Sequence, residues 1–215
     1  MAKDSKPKPE KKTTPKKKPL TNPETIYSIK ITLLYSKPSI WRRLLMPDVT
    51  LDLLHHAIQV AMPWEQSHLW EFRIGRETRI GLTMKERGMS FDEDNYDAEA
   101  DQITIGNLVE QNVKKLIYTY DFGDSWDHDV VIEKTVPYDS AIQYPICIAG
   151  ENAGPPEDCG GMGGYYNLVE ALNNKKHPEH KEMLEWHGEV IDPTLFKPER
   201  VSLELRKVFR SNRRI

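Results

Sequence analysis

Leu116-Ile117-Tyr118-Thr119-Tyr120-Asp121-Phe122, the tripeptide Gly123-Asp124-Ser125, and Trp126-Asp127-His128-Asp129-Val130-Val131-Ile132-Glu133-Lys134 form the stretch that decides the fold. Apolar and polar side chains alternate on both sides of the tripeptide, which is the period of a strand with one buried face. Gly, Asp and Ser supply turn chemistry, so the stretch reads as a β-hairpin. On a regular second strand His128 shares a face with Trp126, Val130 and Ile132, while Asp127 and Asp129 point the other way. Tyr118, Tyr120, Phe122 and Trp126 concentrate aromatic area here, as expected of a packed structural centre.

Upstream of the hairpin, Ile29, Ile31, Leu33 and Tyr35 alternate in a strand from Ile26 to Tyr35, and Ile40 to Met46 resumes the extended pattern up to Pro47. Thr50 can cap a helix with Leu51, Leu54, Ile58 and Ala61 at helical spacing, ended by Pro63. Leu69 to Ile74 is a further strand, which Thr78 to Met84 can pair with; residues 85–101 form an acidic loop, and Ile105 to Gln111 a short helix. Beyond Pro137 the stretch from Pro145 to Gly164 reads as an irregular, glycine-rich loop. Helices follow at Tyr165 to Leu172, at Glu179 to Trp186 and after Pro198, where Val201, Leu205, Val208 and Phe209 make a stripe. Strands and helices in this mixed order predict a single α+β domain with a mixed or largely antiparallel sheet, a prominent hairpin and about four packed helices.

The chain has 215 residues and a formal net charge of −3. Eight lysines against Asp4 and Glu10 fall in residues 1–19, along with four prolines and no aromatic residue. Such a segment cannot bury enough surface to offset the entropy of ordering. The expected organisation is a disordered Lys/Pro-rich tail over 1–24, one domain over 25–210 and a flexible basic terminus over 211–215. The lysines, among them Lys16, Lys17 and Lys18, suit weak nonspecific contact with a phosphate backbone, whereas the rest of the chain is acidic. No apolar stretch resembles a signal peptide or a membrane span, so the expected location is cytoplasmic, without membrane association. Cys147 and Cys159 are too few for a disulfide framework and are expected as free thiols. Neither a Walker loop, a dinucleotide fingerprint nor a His-Glu-x-x-His helix occurs.

The run from Tyr118 to His128, with Pro155-Pro156-Glu157-Asp158-Cys159-Gly160-Gly161, resembles the plasmid pRiA4b ORF-3-like family. Matching pieces are Ile40-Trp41-Arg42-Arg43, Leu54-His55, Trp64 with His68-Leu69, and Gly188 through Asp192-Pro193. The resemblance runs from residue 26 to about residue 209 and implies an α+β domain. It also implies an association with mobile elements, and it carries no catalytic mechanism.

Chemistry concentrates at two places. Asp121, Asp124 and His128 at the hairpin can offer oxygen and imidazole ligands to a divalent metal, the only cofactor class the residues suggest. Asp121 and Asp124 can equally hold the turn through backbone N–H groups. The proline-restricted loop presents Glu157 and Asp158, which can complete an acidic pocket or cap the helix that follows. Asp121, Asp124, Trp126, His128, Glu157 and Asp158 are therefore the expected ligand- or partner-binding set. Asp121, Asp124, His128 and Asp158 are the metal candidates, and His128, Asp121 and Glu157 the catalytic ones. Arg42 and Arg43 are candidate phosphate contacts. His55, His68, His177 and His180 are expected to make only local hydrogen bonds, Trp64 and Trp70 to fill the core, and Cys159 to be a small buried residue. A protein or small-ligand binding module is the first expectation and a metal-assisted hydrolase or nuclease the second.

Overall fold

A computed structural model describes residues 25–81 and 96–212. The expected tail with Lys16, Lys17 and Lys18, the segment 82–95 and the last three residues lie outside the described residues. The strands are β1 (Thr25–Leu33), β2 (Ile40–Pro47), β3 (Trp70–Ile74), β4 (Thr78–Gly81), β5 (Ala98–Glu99), β6 (Lys115–Tyr120), β7 (Trp126–Pro137) and β8 (Ile146–Glu151). The helices are α1 (Leu51–Ala61), α2 (Ile105–Glu110), α3 (Gly161–Asn173), α4 (His180–His187) and α5 (Pro198–Asn212), five where about four are expected. All strands join one sheet in the order β5-β4-β3-β6-β7-β1-β2-β8. Every pairing is antiparallel except β4 with β5, so the sheet is mixed and the fold is α+β.

The hairpin forms as its alternation dictates, Tyr120 opposite Trp126 and Tyr118 opposite His128. Its inner face continues across β1 and β2, because Ile31 stands opposite both Arg42 and Val130. This face is buried beneath the helices: Ile29, Ile31, Leu44, Phe72 and Val130 pack with Leu54, Ala57 and Ile58 of α1 and Leu205 of α5. Each such aliphatic or aromatic side chain contributes about 1.5–3 kcal/mol on burial. The opposite face carries a charged ladder, with Arg43 bonded to Glu133, Lys115 to Asp129, and Arg73 and Arg79 to Glu71.

β8 is a strand where an irregular loop is expected. It is an edge strand, and α5 covers it: Ser202 of α5 accepts from the Cys147 N–H at 2.9 Å. Its short run after Pro145 lacks the apolar alternation that marks the central strands. Leu168 and Leu172 of α3 make a small second core with Ile191, Met183 and Leu184, which seats α4.

Arg42 and Arg43 separate by strand alternation. Arg42 is 1% exposed. Its Nε donates to Ala61 O at 2.9 Å and its Nη1 to Trp41 O and Glu151 O, both at 2.8 Å. Phe196 covers the guanidinium, 3.9 Å from the ring centre. Burial lowers its pKa to about 10, so it is still a cation at neutral pH, matched by carbonyl dipoles. The expectation of a phosphate contact at Arg42 is corrected: the side chain is consumed in joining β2, α1 and β8. Arg43 is on the outer face, and Glu133 takes it through two bonds of 2.7 and 2.8 Å. Among the described residues no helix is long and apolar enough to cross a membrane.

Candidate functional site

The hairpin turn begins with Asp121, whose φ of 54° lies in the left-handed region. Asp is among the residue types that tolerate this conformation, because its short side chain bonds local backbone. Here Oδ1 accepts from the Gly123 N–H at 2.9 Å and the Asp124 N–H at 3.4 Å. The turn therefore uses one carboxylate oxygen. Oδ2 faces His68, 3.7 Å from its Nε2. His68 reaches this position because the Asp121 N–H donates to Leu69 O at 2.9 Å, docking the start of β3 beside the tip.

The third partner is in the loop before α3. Asp158, also left-handed with φ 56°, places Oδ1 2.9 Å from His68 Nε2. The loop is clamped from below: Trp64 Nε1 donates to Pro155 O at 2.9 Å, and Glu157 Oε1 accepts from the Glu65 N–H at 2.9 Å. Glu157 also accepts a short hydrogen bond from the Tyr120 hydroxyl. Burial and then this carboxylate hold the Tyr120 pKa well above its ordinary value, so the phenol keeps its proton. Asp124 ties the tip to the same loop, accepting from the Gly160 N–H at 3.1 Å. Gly161 has φ 67°, and a Cβ there would stand 2.8 Å from Asp124 O, so the close approach needs a glycine.

One ligand atom from each of His68, Asp121 and Asp158 lies within 4.8 Å of the others, a His/Asp/Asp cluster capable of coordinating a divalent metal. Ligands about 2.1 Å from a metal stand about 3.0–3.4 Å apart in octahedral or tetrahedral geometry, so the cluster needs only small side-chain adjustments to close. His68 Nε2 is shielded from solvent and makes no hydrogen bond of acceptable geometry, although two carboxylate oxygens lie close by. Asp121 Oδ2, at 3.7 Å, is beyond hydrogen-bond reach, and Asp158 Oδ1, at 2.9 Å, is close to the nitrogen without being hydrogen-bonded to it. Next to His68 opens a groove of about 450 Å³ lined by His55, His56, Gln66, Leu69 and Trp70.

The structure brings Asp121 and Asp158 together and adds His68, expected to bond only locally. His68 carries no local sequence signal, since its two partners come from distant segments. Asp124 and Glu157 are in the same loops but spend their carboxylates on Gly160, Glu65 and Tyr120. His128 is fully buried, its Nδ1 3.3 Å from Tyr118 O and its ring edge-on to Trp64 at 5.4 Å. Burial, only partly offset by the backbone carbonyls, lowers its pKa to about 4. The expectation of His128 as ligand or catalyst is corrected: the face it shares with Trp126, Val130 and Ile132 is the core face. Trp126, 1% exposed, is likewise core and offers no surface to a partner.

His55 stacks on Trp70 at 4.1 Å, and its Nδ1 is 2.7 Å from the Tyr118 hydroxyl. Burial holds its pKa well below the ordinary value, so it is a neutral core histidine. His180 Nδ1 meets Ala171 O at 2.7 Å, and His177 Nδ1 accepts from the Glu179 N–H at 3.3 Å. Burial and then Asp124 push the Cys159 thiol up to about 12, which leaves no thiolate for nucleophilic attack.

These features define an α+β domain with a cation-capable loop cluster at one end of its central hairpin. The chain belongs to the plasmid pRiA4b ORF-3-like protein family, whose pattern it matches over residues 25–204. It is similar to the uncharacterized protein y4hQ of Sinorhizobium fredii, 36% identical over 166 residues that cover 76% of this chain and 81% of that one. It is also similar to the crystal structure of a protein of unknown function, MM3350, from Methanosarcina mazei Go1. That likeness has a TM-score of 0.72 and 34% identity, covering 83% of this chain and 98% of the other.

Proposed function

We propose that this protein is a divalent-cation-binding module that captures an oxygen-donor ligand through a cation held by His68, Asp121 and Asp158. The observation that carries this reading is the His68 Nε2, placed among two carboxylates and hydrogen-bonded to neither. One imidazole with two carboxylates favours manganese, iron or zinc over calcium or magnesium. Asp124 and Glu157 serve as positioning residues that hold the two loops together. The groove beside His68 gives the ligand its approach.

Metal analysis of tag-free protein by inductively coupled plasma mass spectrometry tests the reading, with H68A and D158N as companions. Near-stoichiometric transition metal in the parent, lost from both folded variants, is the expected result. Metal retained by both variants, or no transition metal bound by the parent after incubation with manganese or zinc, sinks it.

Three protein ligands leave coordination positions open, which is the pattern of catalytic rather than structural metal sites, and this favours hydrolysis as a second reading. Metal-dependent cleavage of a phosphodiester or ester substrate that vanishes in H68A would select it. The free thiols of Cys147 and Cys159 support a reducing, cytoplasmic setting. The lysine-rich first segment supports weak attraction to nucleic acid, measurable as salt-sensitive DNA binding that deletion of residues 1–24 removes.

A further inference from the structure

A second concavity, of about 270 Å³, lies between α5 and the segment that connects β7 to β8, built from elements other than those of the cation cluster. Arg206 and Arg210 of α5 line one side, and Tyr138 and Tyr144 line the other with rings 5.6 Å apart. The arginines are four residues apart, so both project from one face of the helix, and like charges at that spacing repel. Among the described residues neither is paired with a carboxylate, whereas Arg43, Arg73 and Arg79 each are. Arg210 Nη2 donates only to the neutral Gln143 Oε1, at 3.2 Å.

Two acidic side chains close in the chain have partners of their own. Asp139 Oδ1 accepts from the Ala141 N–H at 2.9 Å, and Glu204 pairs with Lys207 at 2.7 Å. A cation in the last turn of a helix compensates its dipole, which accounts for Arg210. Arg206 lies a full turn earlier, half-buried at the cavity wall, where the dipole gives no reason for a charge.

We propose that this concavity binds a nucleoside monophosphate group, its phosphate between Arg206 and Arg210 and its base against Tyr138 and Tyr144. Guanidinium forks match phosphate oxygens, and an aromatic face accepts any base by stacking. A phosphate alone makes no use of the outer faces of the two rings, which already touch each other, and an uncharged aromatic leaves the two cations unopposed. The volume, about 270 Å³, is near the lower end of small-ligand pockets and suits one nucleotide. A free nucleotide and the 5′ end of a strand share this chemistry.

Calorimetric titration of the full chain at low salt with AMP, the 5′-phosphorylated dinucleotide pApA, adenosine and inorganic phosphate tests the proposal. AMP or pApA binding at least about tenfold tighter than adenosine or phosphate is expected, with R206Q and R210Q each weakening it about tenfold or more. Tyr138→Ala is expected to weaken it about five-fold or more, and H68A to leave it unchanged. Tighter binding of pApA than of AMP assigns the strand end; equal or weaker binding assigns the free nucleotide. Neither probe binding at about 5 mM, phosphate binding as tightly as AMP, or unaltered AMP affinity in an R206Q protein with parental melting temperature overturns the proposal.

Discussion

The central hairpin carries two histidine–tyrosine neighbours with opposite fates. In its body, His128 lies 5.5 Å from Tyr118, both rings fully buried. At its tip, His68 lies 5.8 Å from Tyr120 and is partly open to solvent. In the body the Tyr118 hydroxyl meets His55 Nδ1 at 2.7 Å and Gln59 Nε2 at 3.0 Å, while among the described residues the buried His128 Nε2 has no hydrogen-bond partner and no carboxylate beside it. At the tip two carboxylates converge on an imidazole that none of them satisfies as a hydrogen-bond partner. Residue type is the same in both places. Solvent access and converging charge separate the architectural pair from the candidate site.

Breaking the body should give the largest effect. Trp126→Ala removes a side chain that is 1% exposed and in ring contact with Trp64, and is expected to cost about 3–5 kcal/mol in chemical denaturation. A loss below about 1 kcal/mol would mean that the body is not a packed centre.

Acid is the second way to break it. His128 has a folded pKa of about 4, depressed mainly by burial. Its unfolded counterpart takes up a proton near pH 6.5, so the unfolded state binds more protons as pH falls from about 6.5 to 4. Stability present above pH 6.5 should decline through that window by roughly 3 kcal/mol from this residue. His55 acts in the same direction. Denaturation midpoints of His128→Gln should fall less steeply over the window than those of the parent; parallel slopes would remove His128 as the cause.

The tip should respond in the reverse sense. His68→Ala is expected to weaken manganese or zinc binding at least about tenfold, equivalent to about 1.4 kcal/mol, while shifting stability by about 0.5 kcal/mol or less. Calorimetry and thermal melting on one preparation check both halves. If stability falls and metal affinity does not, the tip is architecture like the body.

The hairpin was legible because alternation is a local signal, and β6 and β7 lie where Leu116 to Lys134 place them, to within a few residues. Alternation also put His128 on the face of Trp126. That face is the core, and the same pattern that made the strand readable removes His128 from chemistry. The cluster at the tip was half legible. Asp121 and Asp158 announce themselves in turn-forming segments, but His68 enters through a backbone bond between Asp121 and Leu69 that no periodicity encodes. β8 escaped because an edge strand covered by α5 needs no regular apolar alternation of its own.

The smallest effect tests how the tip is held. Asp124 does not ligate in the proposed site; its Oδ2 accepts from the Gly160 N–H at 3.1 Å and so fastens the hairpin to the loop that carries Asp158. A single exposed bond of this kind contributes about 0.5–1.5 kcal/mol, and Asp124→Ala should lower stability by no more than that. Metal affinity should fall about two- to five-fold, because a looser loop holds Asp158 near His68 for less of the time. Asp124→Asn retains an acceptor oxygen and should recover most of the affinity. If Asn and Ala variants bind metal equally weakly, the charge of Asp124 acts on the cation directly, and the boundary between positioning and ligating groups at the tip moves outward to include it.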